Sequence, residues 1–545
     1  MNLLALSIAL FFTPGIIALV FHRPILRTLD RFFYKKLEVE KFNATNPYAQ
    51  GLFRPTHNEC NRSEIKIIGE LPSDLNGIYL RNGPNQRFEP TGRMHMFDGE
   101  GMIHQIQIQD GKAYYSNTYI KTPKYQFNAS AQKDSFTHVG DLAGGGAMGM
   151  AKIVCELLKK RLGMLPKLSR LESGSNSTAL LFHHGKLFAL QEISYPFNLD
   201  LDFSSTGALK LSGEGAFEDF NKRLKAPFSA HVKIDPQTND VVFFSNSVDT
   251  KEIYYAELDP KGELKTFKAI KKDNPCIGFL HDSFITEHFA ICPDMSIRFD
   301  VQQMNKDPQS PWFFDPNTTL KFGVLQRKKI GESPIQETVQ WFDTEKAGFI
   351  WHTINAWEER NSSGELELVL FAPVFDQYPS NIPIHLPEEP HATVQMWRLN
   401  LEKGTISEHR TLLDRFFERP SINDRYLGKR HRFTYLLDKT DPRGVLGCGV
   451  QKYHLQEERI VKSFSYGDFF GGEPLFVAKK DAVEEDDGYI VELLMSESES
   501  QLIVLDANSL EECTRLILPQ RVPFGVHSLW IPQNDIQPTV NPLSS

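Results

Sequence analysis

The chain has 545 residues, 41% of them hydrophobic, and its 60 Lys and Arg against 69 Asp and Glu give a formal net charge of -9. That balance argues against nucleic acid as a partner, because phosphate binding wants clustered cations. The six cysteines form no CxxC pair, which argues against a thiolate metal site or a disulfide scaffold, and 40 Phe residues supply abundant aromatic lining for a large core.

Leu3 to Val20, LLALSIALFFTPGIIALV, is an uncharged apolar run of 18 residues, at the short end of what spans a bilayer core of about 30 Å. Arg23, Arg27, Arg31, Lys35 and Lys36 follow it, so the positive-inside rule puts the bulk of the chain on the cytoplasmic side. No positive n-region or small-residue cleavage site is evident, which favours a retained anchor over a signal peptide; an interfacial hairpin at Pro14 and Gly15 is the alternative. The run is too apolar for a plastid transit peptide, and the expectation is a membrane-associated protein whose main domain faces the cytosol. Sequons at Asn43, Asn61, Asn128, Asn176, Asn317 and Asn361 would suit secretion, but so short a pattern arises often by chance. Residues 1–36 are expected to form the anchor and its basic flank, residues 37–64 a linker or N-terminal extension, and residues 65–545 a single domain.

Beyond residue 64, short apolar or alternating runs such as GIYLRNGP, TALLFHHGKLFALQEI, DVVFFSNSV and GYIVELLMS are separated by turn signals, among them QDGK, HHGK and PQTND. So many strands with so few amphipathic helices predict an all-β fold, a propeller or a large barrel. No repeat of fixed period reveals a blade count. One segment, residues 144–168, breaks the pattern: Ile153, Val154, Leu157, Leu158 and Leu162 recur at helical spacing beside Lys159, Lys160 and Arg161. It reads either as a surface helix packed on the core or, over residues 153–164, as a helix dipping into an anionic membrane surface.

Four of the 17 histidines close apolar or small-residue runs: His231 in PFSAHVKIDP, His281 in GFLHDSFIT, His352 in FIWHTINAWEE and His527 in RVPFGVHSLWIP. A buried imidazole needs partners for both ring nitrogens, and any one of these alone is most often a satisfied core residue. Their wide separations exclude a local finger or an HExxH helix. Brought together by a closed fold, four neutral imidazoles would suit a divalent metal such as iron, copper, nickel or zinc.

LNGIYLRNGPNQRFEPTGRMHMFDGEGMIH (75–104), the four histidine segments, GGEPLFV (471–477) and EEDDGYI (484–490) resemble, in this order, the carotenoid cleavage dioxygenase family, over about residues 65 to 532. The resemblance implies a seven-bladed β-propeller with a helical and loop cap over an apolar tunnel. It implies one non-haem Fe(II) per chain, held by His231, His281, His352 and His527, and three glutamates that orient the ligand rings: Glu192 in FALQEI, Glu418 in FFERPSIN and Glu473 in GGEP. The physical need is general, since an imidazole that binds metal through one nitrogen is fixed in tautomer and plane by an acceptor on the other. The alternative for each carboxylate is a solvated loop charge, most tenable for Glu418 beside Arg415 and Arg419. Glu358 and Glu359, close to His352 in sequence, read as structural neighbours.

The implied reaction uses O2 to cleave one conjugated double bond of a carotenoid or apocarotenoid into two carbonyl products. An apolar polyene drawn from a membrane fits the N-terminal anchor, and no obligate protein partner is implied. Ser-Leu-Trp after His527, Glu100 where the family usually has Asp, and Val232 where Pro is common mark a divergent member. A retinoid isomerohydrolase and a stilbene-cleaving dioxygenase are alternatives on the same fold. A noncatalytic propeller that binds lipid or protein is the alternative of another class, though such a scaffold has no need of these four histidines and three glutamates.

Overall fold

The strands are joined by the turns their sequences specify. Asp110 and Gly111, with φ of 52° and 74°, take the left-handed twist of a two-residue hairpin between strands Glu100–Gln109 and Lys112–Tyr119. His184 and Gly185 (φ 44° and 77°) do the same between Ala179–His183 and Lys186–Leu190. The computed structural model describes residues 24–142, 145–203, 209–271, 280–300, 302, 312–377, 392–415, 417–439 and 446–536.

Seven antiparallel sheets follow one another along the chain as the blades of a β-propeller, the all-β architecture expected from the resemblance. Blade 1 comprises Gly77–Asn85, Glu100–Gln109 and Lys112–Tyr119, with Ser63–Glu64 at one edge and His527–Pro532 at the other. Blades 2 to 6 are four-stranded and run over residues 179–217, 233–270, 284–343, 355–413 and 417–465. Blade 7 is built from residues 470–517 together with Lys66–Gly69. The ring is therefore closed twice: Ile67 pairs with Leu516 in blade 7, and Asn82 pairs with His527 in blade 1.

Central strands are sandwiched between neighbouring sheets and bury both faces, as Gly488–Met495 does at every position. Outer strands such as Thr405–Leu413 keep half-exposed positions throughout.

Residues 37–64, expected as a linker or extension, are packed onto blade 1. Helix Val39–Thr45 is fixed by Asn43, whose Nδ2 donates to Gly92 O (3.0 Å) and whose Oδ1 accepts from Met94 N (2.9 Å). Ser63–Glu64 then pairs with Lys112–Tyr119. Between blades 1 and 2 lie helices Pro123–Ala131 and Gly146–Arg161. The second is the helix read from the 144–168 pattern. Its Cys155 packs with Leu26 and Phe33 of a helix over residues 24–36, while Val154, Leu157, Leu158 and Leu162 stay 42–54% exposed. That apolar face is not packed on the core.

Leu3 to Val20 lies outside the described residues, and among those described no helix is long and apolar enough to cross a membrane. Cys60, Cys155, Cys292, Cys448 and Cys513 are free thiols; Cys276 is outside the described residues. Asn128 and Asn176 are fully buried, which removes two of the sequons as glycan acceptors.

Candidate metal centre

Each of the four histidines sits where a blade's strand nearest the axis begins. His231 precedes Lys233–Ile234 of blade 3, His281 precedes Phe284–Ile285 of blade 4, and His352 precedes Asn355–Arg360 of blade 5. His527 opens the closing strand of blade 1. Residues far apart in sequence thereby meet: one nitrogen from each ring lies within 4.8 Å of the others. The His231 ring is central, 4.2, 4.9 and 4.5 Å from those of His281, His352 and His527.

The remaining three blades supply the carboxylates. Glu192, in the connection after Lys186–Leu190 of blade 2, lies 2.9 Å from His281 Nδ1. Glu418 of blade 6 accepts from His352 Nδ1. Glu473 of blade 7 is 2.8 Å from His527 Nδ1 and accepts the Ser528 N–H through its other oxygen (2.6 Å). Two of these pairs join adjacent blades, but Glu192 reaches past blade 3. His231 is thus the histidine that none of the three meets.

With Nδ1 hydrogen-bonded on His352 and His527, and facing a Glu192 oxygen 2.9 Å away on His281, the Nε2 atoms are left for a shared ligand. Nε2 of His231 and of His352 is buried without a hydrogen-bond partner, a costly state for a polar atom unless something binds it. Burial, then the crowding of His281, His527, His352 and Lys233, holds His231 well below the ordinary imidazole range. Burial also lowers His527, against the opposing pull of Glu473. For Glu473, burial acts upward, but His527 and Arg419 outweigh it and bring the carboxyl down to about 2. Neutral imidazoles backed by ionised carboxylates are the protonation state that a metal requires. The donor set therefore fits a divalent transition metal.

A further set of polar residues was not singled out from the sequence. Asp282, immediately after His281, accepts from both the backbone N–H (2.7 Å) and the Oγ1 hydroxyl (2.8 Å) of Thr353, which immediately follows His352. Lys233, two residues after His231, pairs with the same carboxylate at 2.9 Å. Three of the histidine segments are laced together by their own neighbours, and the signal was a polar residue one or two positions behind each histidine. Glu358 instead engages His288 Nδ1 (2.8 Å) and Thr286 Oγ1 (2.6 Å), and Glu359 lies beside Arg398 (3.2 Å); both are structural, as read from sequence. Trp351 packs edge-on against His281, with ring centroids 4.5 Å apart.

The family model described as RPE65, retinal pigment epithelial membrane protein, matches residues 53–532. The chain belongs to this family, the carotenoid oxygenases. Its members include the carotenoid cleavage dioxygenases, which are non-haem iron enzymes. The chain is 30% identical over 543 residues to carotenoid 9,10(9',10')-cleavage dioxygenase 1 of Arabidopsis thaliana, covering 95% of each chain. Among solved structures, the lignostilbene dioxygenase of Pseudomonas brassicacearum superposes with a TM-score of 0.74 at 24% identity, covering 89% of this chain and 98% of that one. The apocarotenoid oxygenase of Synechocystis gives 0.71 at 21% identity, covering 88% and 97%. Those two likenesses bear on the fold. Some relatives of this carotenoid oxygenase are chloroplastic.

Proposed function

We propose that this protein cleaves one conjugated double bond of a carotenoid or apocarotenoid oxidatively, consuming O2 and giving two aldehyde or ketone products. The observation that carries the reading is the convergence of four histidines and three glutamates, one from each blade, on a single point. In this reading His231, His281, His352 and His527 hold one Fe(II), and Glu192, Glu418 and Glu473 fix the rings. Bound there, iron supplies the redox chemistry by which O2 attacks a polyene double bond.

The chain's own contribution is to orient and to exclude. The carboxylates lock three imidazoles as Nδ1–H tautomers, so that their lone pairs face one point. Trp351, packed edge-on against His281, shields that ring on one side.

A membrane surface is the proposed source of the substrate, with the main domain on its cytosolic side. Ile25, Leu29 and Phe32 of the helix over residues 24–36, and Val154, Leu157, Leu158 and Leu162 of the second cap helix and its end, are exposed apolar side chains on two helices that pack together. Arg27, Arg31 and Lys35 line a cavity of about 710 Å³ between them, together with Phe32, Phe127 and Phe136. Apolar side chains flanked by cations match an anionic lipid surface. In protein lacking residues 1–20, so that the apolar N-terminal run cannot hold it, substituting Asp at Leu157 and Leu158 should abolish flotation with anionic vesicles and leave cleavage of detergent-solubilised substrate intact; undiminished flotation contradicts this surface.

The central test is product analysis by mass spectrometry with iron-loaded protein, O2, and a panel of carotenoids, apocarotenoids, stilbenes and retinyl esters. Paired carbonyl fragments from a polyene, lost in His352→Ala, are the expected result. Isomerised alcohol from an ester without O2, cleavage of stilbenes alone, or turnover unaffected by His352→Ala would overturn the reading.

A further inference from the structure

Arg419 occupies a position that no ligand or carboxylate assignment covers. Its Nη1 donates to two carbonyls at once, Gly472 O at 2.5 Å and Val526 O at 3.0 Å. These are the peptide oxygens immediately before Glu473 and His527. Its backbone N–H donates to Glu418 Oε2 (2.8 Å), the same oxygen that accepts from His352 Nδ1. One residue thereby touches both His–Glu pairs that bridge adjacent blades.

The local backbone is shaped for this. Arg419 has a φ of 44°, a left-handed conformation that a non-glycine residue adopts at a cost, and the pairing register of its strand shifts between Glu418 and Ser421. The bulge turns the guanidinium out of blade 6 toward blades 7 and 1, where it also lies 5.9 Å from the centre of the Phe524 ring. The far side of the same two segments is braced by Arg81, fully buried, whose Nη2 donates to Gly525 O (2.7 Å). Both contacts are close: a Cβ on Gly472 would fall 2.0 Å from Arg81 Nη2 and one on Gly525 2.4 Å from Arg81 Nε, so a side chain at either position would push the guanidinium aside.

Blades are separate sheets fixed against one another chiefly by side-chain and loop contacts; between blades 6 and 7 one backbone bridge, Gly447 with Gly471, adds to them. The His352–Glu418 pair spans blades 5 and 6, and the His527–Glu473 pair spans blades 1 and 7. Arg419 links the two pairs across the remaining junction, between blades 6 and 7.

We propose that Arg419 is a positioning residue for the metal centre: it sets where the His352 and His527 imidazoles stand relative to each other, and so sets metal affinity and coordination geometry. The proposal rests on the reading of the four histidines as ligands. Its test uses full-length apo-protein, titrated with Co(II) against a competing chelator, with the visible Co(II) spectrum and apo-protein thermal unfolding recorded alongside. Arg419→Met should bind Co(II) at least tenfold more weakly and shift the spectrum. Arg419→Lys, which keeps the charge but not the planar fork, should fall between it and the parent.

His138→Gln, remote from the centre, reports what general destabilisation does. If it weakens Co(II) binding as much as Arg419→Met at an equal loss of unfolding temperature, the positioning role is overturned. So it is if Arg419→Met keeps parental affinity and spectrum. Should Arg419→Met not fold, parental affinity and spectrum in Arg419→Lys overturn it instead. Failure of the parent itself to bind Co(II), or parental binding in His352→Ala, would remove the ligand assignment, a distinct result.

Discussion

Replacing Glu418 with Gln isolates the contribution of one buried carboxylate to a neighbouring ligand. Glu418 is 4% exposed; Oε2 accepts from His352 Nδ1 and Arg419 N, whereas Oε1 is buried without a partner. A Gln amide that keeps its oxygen toward His352 puts its NH2 where Oε1 was, leaving buried donors unsatisfied at about 1–3 kcal/mol. Flipped, the NH2 confronts two N–H donors. Both orientations lose a charge-assisted hydrogen bond of about 1.5–3 kcal/mol. At about 1.4 kcal/mol per decade, metal binding should weaken roughly 10- to 100-fold. The assay is chelator competition on apo-protein with Fe(II) or Co(II), and Glu358→Gln is the control. Glu358 is closer to His352 in sequence but bonds His288, so its loss should leave metal affinity unchanged. Parental affinity in Glu418→Gln, or an equal loss in Glu358→Gln, would refute the reasoning.

Gly472→Ala should displace Glu473, because its Cβ would overlap the Arg81 guanidinium; reduced metal affinity together with a lower unfolding temperature is the expected outcome, and a parental value of both would contradict it. His138 lies 2.6 Å from Asp134 and 3.7 Å from Asp98, and although burial disfavours its charge, the two carboxylates raise its pKa from 6.5 to about 10. Its contribution, on the order of 5 kcal/mol at most, is complete below pH 6.5 and is lost as pH climbs through about 10. Thermal melts across that window should fall more steeply for the parent than for His138→Gln; parallel curves would show that His138 is not held charged.

The four clustered histidines were legible because each closes an apolar or small-residue run, and the hairpins were legible because Asp110-Gly111 and His184-Gly185 carry their own φ preferences. The partner of each glutamate was not. Glu192 lies within blade 2, between its second and third strands, but serves blade 4, a crossing that depends on how the ring closes and leaves no local pattern. The role of Arg419 left no local sign for the same reason, since the carbonyls it holds lie in blades 7 and 1. Residues 37–64 read as polar linker because much of their anchoring is done by Asn43 and Asn46, whose amides bind the backbone at residues 92 and 94, while the apolar side chains they also bury, among them Leu37, Val39 and Tyr48, form no periodic run.

The double closure of the ring imposes an order on how the centre is made. His231, His281 and His352 leave the ribosome well before His527, and His527 sits in the strand that seals blade 1. A nascent chain therefore carries three of the four histidines without a site, and the metal centre comes into being only when both chain ends have docked. Any ion that binds the finished centre more tightly than the open chain favours the sealed ring by the same free energy. The cofactor would then act as a latch on the propeller as well as its reactive part.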